Sequence, residues 1–300
     1  MSPSSTETQD AIWLRRDAEK ISGALPPLLA EAQRLAANVV MGDHGRKRSG
    51  PGENFWQYRR AMPGDAQTQV DWRRSARSDR LYIREMEWEA AQTVSIWADD
   101  ALSMDYKGPM AERTKSQRAN LLAMALSVLL AQAGERVSLL NTTAEPPRSG
   151  ETQLRRIALM LGEQRADRPD YGEPPQGTLT AGGKGIFLSD FLGEADTVMP
   201  ALAHAADNNV SGCLVQIVDD SEEAFPFDGR TIFESMGGGL RFETQRARAL
   251  KEAYQDRLEE RREALRRMAR STGWRFLIHR TSESPRKALL WLYMAIGERV

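Results

Sequence analysis

The sequence predicts an α/β protein built on a doubly wound, mostly parallel sheet with an inserted β-hairpin. Three observations carry this. From residue 91 onward, short apolar runs alternate with helical stretches, the order a parallel sheet requires because its neighbouring strands need crossover helices. Three of the runs, SIWAD, IFLSD and VQIVDD, end in acid. Two β-like runs flank Gly237, Gly238 and Gly239 and place the hairpin at about 225–245. A helical and charged-aromatic N-terminal region, residues 11–90, precedes this domain of 91–300 and follows a disordered tail at 1–10.

In chain order, Ile12, Leu14, Leu28, Leu29, Leu35, Val39 and Val40 recur at helical spacing, and Pro26 with Pro27 divides them into two helices. GDHGRKRSGPGEN reads as a loop. TVSIWAD is a strand, TKSQRANLLAMALSVLLAQA (114–133) a strong helix and ERVSLLN a second strand. ETQLRRIALMLGEQ and EADTVMPALAHAADNN are helical, alternating with strands GIFLSDF and VSGCLVQIVDD. A long charged helix spans about 244–271, with Ala247, Leu250, Tyr254, Leu258, Leu265 and Met268 as its apolar stripe. WRFLIHR is the last strand, and a helix opened by Pro285 runs over 285–298.

Composition narrows the function classes. Lys+Arg of 41 against Asp+Glu of 42 leaves a formal net charge of -1, so no global field draws this chain to nucleic acid or an anionic membrane. The single cysteine, Cys213, lies in the apolar run CLVQIV and reads as a small buried hydrophobe in a reducing compartment. No stretch reaches the length of a membrane span, and MSPSSTETQD lacks the order of a secretory signal. The expectation is a cytoplasmic protein.

Candidate chemistry gathers at strand ends. Asp99, Asp100, Asp190, Asp219 and Asp220 follow apolar runs. In doubly wound sheets ligands bind outside the carboxyl ends of strands, so Asp99 and Asp190 would share a crevice. The bland reading is that these acids cap the helices that follow. AGGKG (181–185) precedes a strand and is not followed by Ser or Thr, so it reads as a turn rather than a phosphate loop. His44, His204 and His279 fall in no nucleophile–base pattern.

The densest segment is YRRAMPGDAQTQVDWRRSARSDRLYIREMEWE, residues 58–89. PGD signals a turn, and Leu81 with Ile83 alternates as a strand does. Folding back would bring Arg84, Glu85, Glu87 and Glu89 near Arg59, Asp65, Asp71, Arg73 and Arg77. Such a set is either a structural ion-pair network or a docking surface, with Trp56, Tyr58, Trp72 and Trp88 as aromatic anchors.

With its flanks, GPGENFWQYRRAMPGDAQTQVDWRRSARSDRLYIREMEWE resembles the signature of the domain-of-unknown-function family numbered 58. This chain departs from that signature at Met62, Ala66 and Thr68-Gln69-Val70. The resemblance implies a von Willebrand factor A-like fold and a partnership with a MoxR-type AAA+ ATPase and its client, in complex assembly or maturation. It also implies a metal-ion-dependent adhesion site, aligned here with Asp99, Ala101, Ser103 and Asp190, and a threonine that is either Thr143 or Thr152. Ala101 offers no oxygen, so the expectation is no cofactor or weakly bound Mg²⁺ or Mn²⁺. A non-enzymatic adaptor leads. A metal-dependent hydrolase built on Asp99, Asp190 and Asp219 is the alternative, and nucleic-acid binding through GRKRSG and the long helix is the weaker one.

Overall fold

The computed structural model describes residues 31–37, 39, 55–62, 65–66, 68, 70–77, 80–86, 91–140, 146–163, 166–175 and 179–297. They fall into two compact units, one within Gly42–Ala91 and one within Met1–Met41 and Gln92–Val300.

Helix α1 (31–37) belongs to the larger unit, where Ala32 and Ala36 are buried in the core. The sequence grouped this segment with the N-terminal region; its small apolar face instead packs among α/β residues. The smaller unit is a hairpin of β1 (Phe55–Arg60) and β2 (Tyr82–Met86) with the single turn α2 (Trp72–Ser75) between them. The strands are antiparallel, pairing Tyr58 with Arg84 and Arg59 with Ile83. Asp71 caps α2 by accepting from the Arg74 N–H at 2.9 Å. Ser75 Oγ accepts from the Tyr82 N–H at 2.9 Å and ties that turn to β2.

The larger unit holds a five-stranded parallel sheet. Its strands are β3 (Thr93–Ala98), β4 (Arg136–Leu139), β5 (Lys184–Ser189), β6 (Ser211–Val218) and, later in the chain, β9 (Arg275–Arg280), in the order β4-β3-β5-β6-β9. The predicted mixed α/β architecture with a parallel, helix-flanked sheet is present. Side chains of period two divide the strands between two cores. Ile96, Ile186, Leu188 and Val215 face α1, α3 (Lys115–Gln132), α4 (Glu151–Gly162) and α8 (Pro285–Gly297). Trp97, Phe187 and Leu214 face α5 (Val198–Asp207) and α7 (Lys251–Ser271). Helix α3 starts at a full capping box, Thr114 with Gln117. Every residue from Leu121 to Leu130 is buried, as suits a helix covered by the sheet, α4 and α8.

Three local features depart from the sequence reading. The hairpin strands β7 (Thr231–Glu234) and β8 (Arg241–Thr244) are antiparallel, and β8 takes Thr244. A 3₁₀ turn at Ala247–Leu250 follows, so the long helix starts at Lys251 rather than near 244. The helical spacing of Ala247 and Leu250 continues through the turn, which is why sequence alone does not show the break. The short helix α6 (Asp220–Ala224) had no apolar periodicity to betray it; a capping box of Asp219 and Glu222 creates it. Among the described residues no helix is long and apolar enough to cross a membrane.

Candidate functional site

The chain runs from β3 to β4 on one side and returns to β5 on the other. The carboxyl ends of β3 and β5 therefore flank the topological switch point, where doubly wound sheets bind ligands. Asp99 leaves β3 there and Asp190 leaves β5, each buried at 1% exposure.

Asp99 Oδ1 accepts from the Ala101 N–H at 2.9 Å, and Oδ2 from the Ser189 hydroxyl at 2.6 Å. Burial pushes its pKa up to about 7 despite those bonds, and the neighbouring charges of Asp190 and Asp100 push in the same direction. Asp190 Oδ1 accepts from the Leu192 N–H at 3.0 Å, and Oδ2 from the Lys115 ammonium at 2.9 Å. The same ammonium donates to Glu222 Oε1 at 2.6 Å and lies 5.7 Å from the centre of the Tyr106 ring. Lys115 is 0% exposed. Burial would lower its pKa, but the charges of Asp190 and Glu222 outweigh that and hold it above the ordinary lysine value. For Glu222 the balance falls the other way: burial raises its pKa more than Lys115 lowers it.

At the end of β6, Asp219 accepts from the Ser221 N–H at 2.9 Å, the Ser221 hydroxyl at 2.6 Å, the Gly108 N–H at 3.1 Å and the Thr281 hydroxyl at 3.1 Å. Burial alone would raise its pKa; these donors hold it below the usual value. Two glycines permit the close packing. A Cβ on Gly108 would stand 2.0 Å from Asp219 Oδ1, and one on Gly172 would stand 2.0 Å from Asp99 Oδ1. Behind Asp190, its carbonyl accepts from Gln216 Nε2, and Gln216 Oε1 accepts from Arg262 Nε at 3.2 Å. Arg262 and Arg280 both pair with Glu223.

Of the four positions that the resemblance aligns with an adhesion-type metal site, one carries a buried oxygen with no hydrogen-bond partner, Ser103 Oγ, the kind of atom a cation ligand would be. The other three positions do not fit. Ala101 is fully buried and contributes only its N–H, both Asp99 oxygens accept from protein donors, and Asp190 Oδ2 faces an ammonium. Among the described residues no cluster of three His, Cys, Asp or Glu side chains is placed to hold a metal. A divalent cation would have to displace Lys115. Thr152 is exposed on α4, and Thr143 lies outside the described residues.

Sequence reasoning missed Lys115 and Glu222. One signal was available: Lys115 is the first residue of α3, and a cation at a helix N-terminus opposes the macrodipole unless acids offset it. Neither of the two described histidines takes part in this site. His279 is buried with Nε2 unpartnered. Burial, then the nearby charge of Arg118, lowers its pKa to about 4, so it is neutral although Glu283 lies 3.8 Å away. His204 is in α5, and His44 lies outside the described residues. The AGGKG stretch forms a turn into β5, with Gly182 at φ +72°.

In the smaller unit, Arg59 forks onto Asp65 with bonds of 2.7 and 2.8 Å. That hydrogen-bonded pairing pulls the Asp65 pKa down to about 2. Tyr58 donates to Asp71 Oδ2 at 3.0 Å. The Arg74 guanidinium lies 4.3 Å from the Tyr58 ring centre and 5.3 Å from that of Tyr82. Tyr58, Asp71, Arg73, Arg74, Arg77 and Tyr82 line an open cleft of about 490 Å³, and Trp72 is 59% exposed. Of the charged set singled out in the sequence, Arg59 and Asp65 form a local ion pair, Asp71 is a cap, and Arg73 and Arg77 line the cleft. Arg84 and Glu85 are on β2, their side chains outside the described residues, as are Trp56's side chain and Glu87, Trp88 and Glu89 entirely; the predicted PGD turn shares that status at Pro63 and Gly64.

The family model described as "Protein of unknown function DUF58" matches residues 57–264. The uncharacterized proteins Rv1480 of Mycobacterium tuberculosis (strain H37Rv) and Mb1516 of Mycobacterium bovis are each 26% identical over 236 residues, covering 75% of this chain and 73% of theirs. The crystal structure of the conserved hypothetical protein BatB from Bacteroides thetaiotaomicron aligns with a TM-score of 0.39 at 12% identity, over 69% of this chain and 99% of that one.

Proposed function

The chain belongs to the DUF58 family, and from that premise we propose that it is a non-enzymatic, cytoplasmic adaptor. On this reading its larger unit is a von Willebrand factor A-like domain whose switch-point crevice binds protein without a metal. Its partner is a MoxR-type AAA+ ATPase or that ATPase's client, in complex assembly or maturation. The observation that carries the non-catalytic part is the buried Lys115 ammonium between Asp190 and Glu222. A hydrolytic cation needs oxygen ligands with an open position for water, and here Asp190 already faces an internal cation while the Asp99 and Asp219 carboxylates accept from protein donors. The family resemblance supports the choice of partner.

The test is crosslinking of the tagged full chain in its host with ATP present, followed by mass spectrometry. An AAA+ ATPase should be recovered, and recovery of none overturns the partner claim. Mg²⁺- or Mn²⁺-dependent hydrolysis that disappears in Asp190→Ala would overturn the non-enzymatic reading.

A further inference from the structure

We propose that the cleft in the smaller unit binds the carboxylates of an acidic peptide segment through Arg73, Arg74 and Arg77. This rests on the adaptor reading for its biological setting, but its chemistry stands on the cleft alone. Among the described residues, the charged ones lining it are Arg73, Arg74, Arg77 and a single carboxylate. That carboxylate, Asp71, accepts from the Arg74 backbone N–H and the Tyr58 hydroxyl. Arg59 in the same unit has Asp65 as its ion-pair partner, whereas Arg73, Arg74 and Arg77 have no ion-pair partner among the described residues.

The positions are arranged for capture. Arg73 and Arg77 are four apart and Arg74 and Arg77 three apart, so a one-turn helix and its exit present them on neighbouring faces. Tyr58 and Tyr82 stack against Arg74, which leaves less side-chain freedom to lose on binding. A planar guanidinium fork matches a carboxylate bidentately. Exposed Trp72, next in the chain to Arg73, is of the type enriched at binding hot spots. A single cleft of about 490 Å³ is of small-ligand size. Among the described residues it is not extended into a continuous basic track for a nucleic-acid backbone, and the net charge of -1 gives no long-range attraction to a polyanion.

The test uses the full chain and a fluorescein-labelled decapeptide rich in glutamate, read by anisotropy, with inorganic phosphate and a single-stranded oligonucleotide as competitors. The peptide should bind, more weakly as salt rises. Arg73→Ala/Arg77→Ala should weaken it about tenfold or more, since two of the cationic partners of the peptide are removed. Both residues are exposed, so an unchanged melting temperature confirms that the double variant folds; Arg74→Lys tests the need for a planar fork and should also weaken binding. Equal peptide affinity in wild type and the double variant overturns the proposal, as does tighter binding of oligonucleotide or phosphate than of peptide. The crosslinking experiment fails separately: peptide capture without ATPase recovery removes the partner and keeps the cleft. ATPase recovery with no peptide binding removes the cleft and keeps the partner.

Discussion

Replacing Lys115 with Met keeps the length of the side chain and removes the ammonium, leaving Asp190 and Glu222 to face each other across a buried space. Lys115 is fully buried and bonds Asp190 at 2.9 Å and Glu222 at 2.6 Å. Removing one partner of a buried ion pair costs about 3–5 kcal/mol, because the other charge is left uncompensated. Two carboxylates share this ammonium, which places Lys115→Met towards the upper end of that range. At about 2–4 °C per kcal/mol for a domain of this size, the melting temperature should fall by roughly 6–20 °C. Circular dichroism melts and urea titrations at neutral pH would measure it. The companion variant Lys115→Met/Asp190→Asn/Glu222→Gln removes all three charges, and much of the loss should return, because neutral replacement of a whole buried ionic group is far less costly than breaking it. A Lys115→Met chain within about 1 kcal/mol of wild type, or a triple variant less stable than the single one, would refute the claim that an internal cation organises the crevice.

The remaining predictions concern the same strand ends. Asp99 has its folded-state pKa raised from 3.8 to about 7, so its stabilising contribution is complete below pH 3.8 and is lost as pH rises through about 7. Asp99→Asn should therefore gain stability relative to wild type between pH 5 and pH 8 in urea titrations; parallel pH profiles would show that Asp99 does not titrate there. Ala101→Ser should leave Mn²⁺ affinity by isothermal titration no higher than wild type, because Lys115 already pairs with Asp190 and both Asp99 oxygens accept from protein donors, and a clear gain would show that the inherited metal site persists. Gly172→Ala sets a Cβ about 2.0 Å from Asp99 Oδ1 and should destabilise by about 1–3 kcal/mol; an unchanged urea midpoint would mean that the 172 loop is free to move away.

What the sequence determined by itself is what depends on neighbours along the chain. Short apolar runs with helical spacing between them identify β3, β4, β5, β6 and β9 and their crossover helices. The apolar pattern of residues 114–133 identifies α3. Proline at 285 marks the start of α8. The same local information placed acids at the strand ends and located the charged-aromatic segment of the smaller unit. It could not separate helix from 3₁₀ turn at Ala247–Leu250, since both keep apolar residues three apart.

Tertiary structure decided the chemistry. Lys115 meets Asp190 across 75 positions and Glu222 across 107, and Gly108 reaches Asp219 across 111. No periodicity or motif carries such pairings, because they depend on strand order and on backbone approaching a carboxylate to bonding distance. The family resemblance casts Asp99, Ser103 and Asp190 as the outline of a metal loop with one oxygen missing at Ala101. Only the fold brings a lysine from the head of α3 into the low-dielectric space beside Asp190, where an unpaired carboxylate would be costly and an ammonium held by two of them is stable.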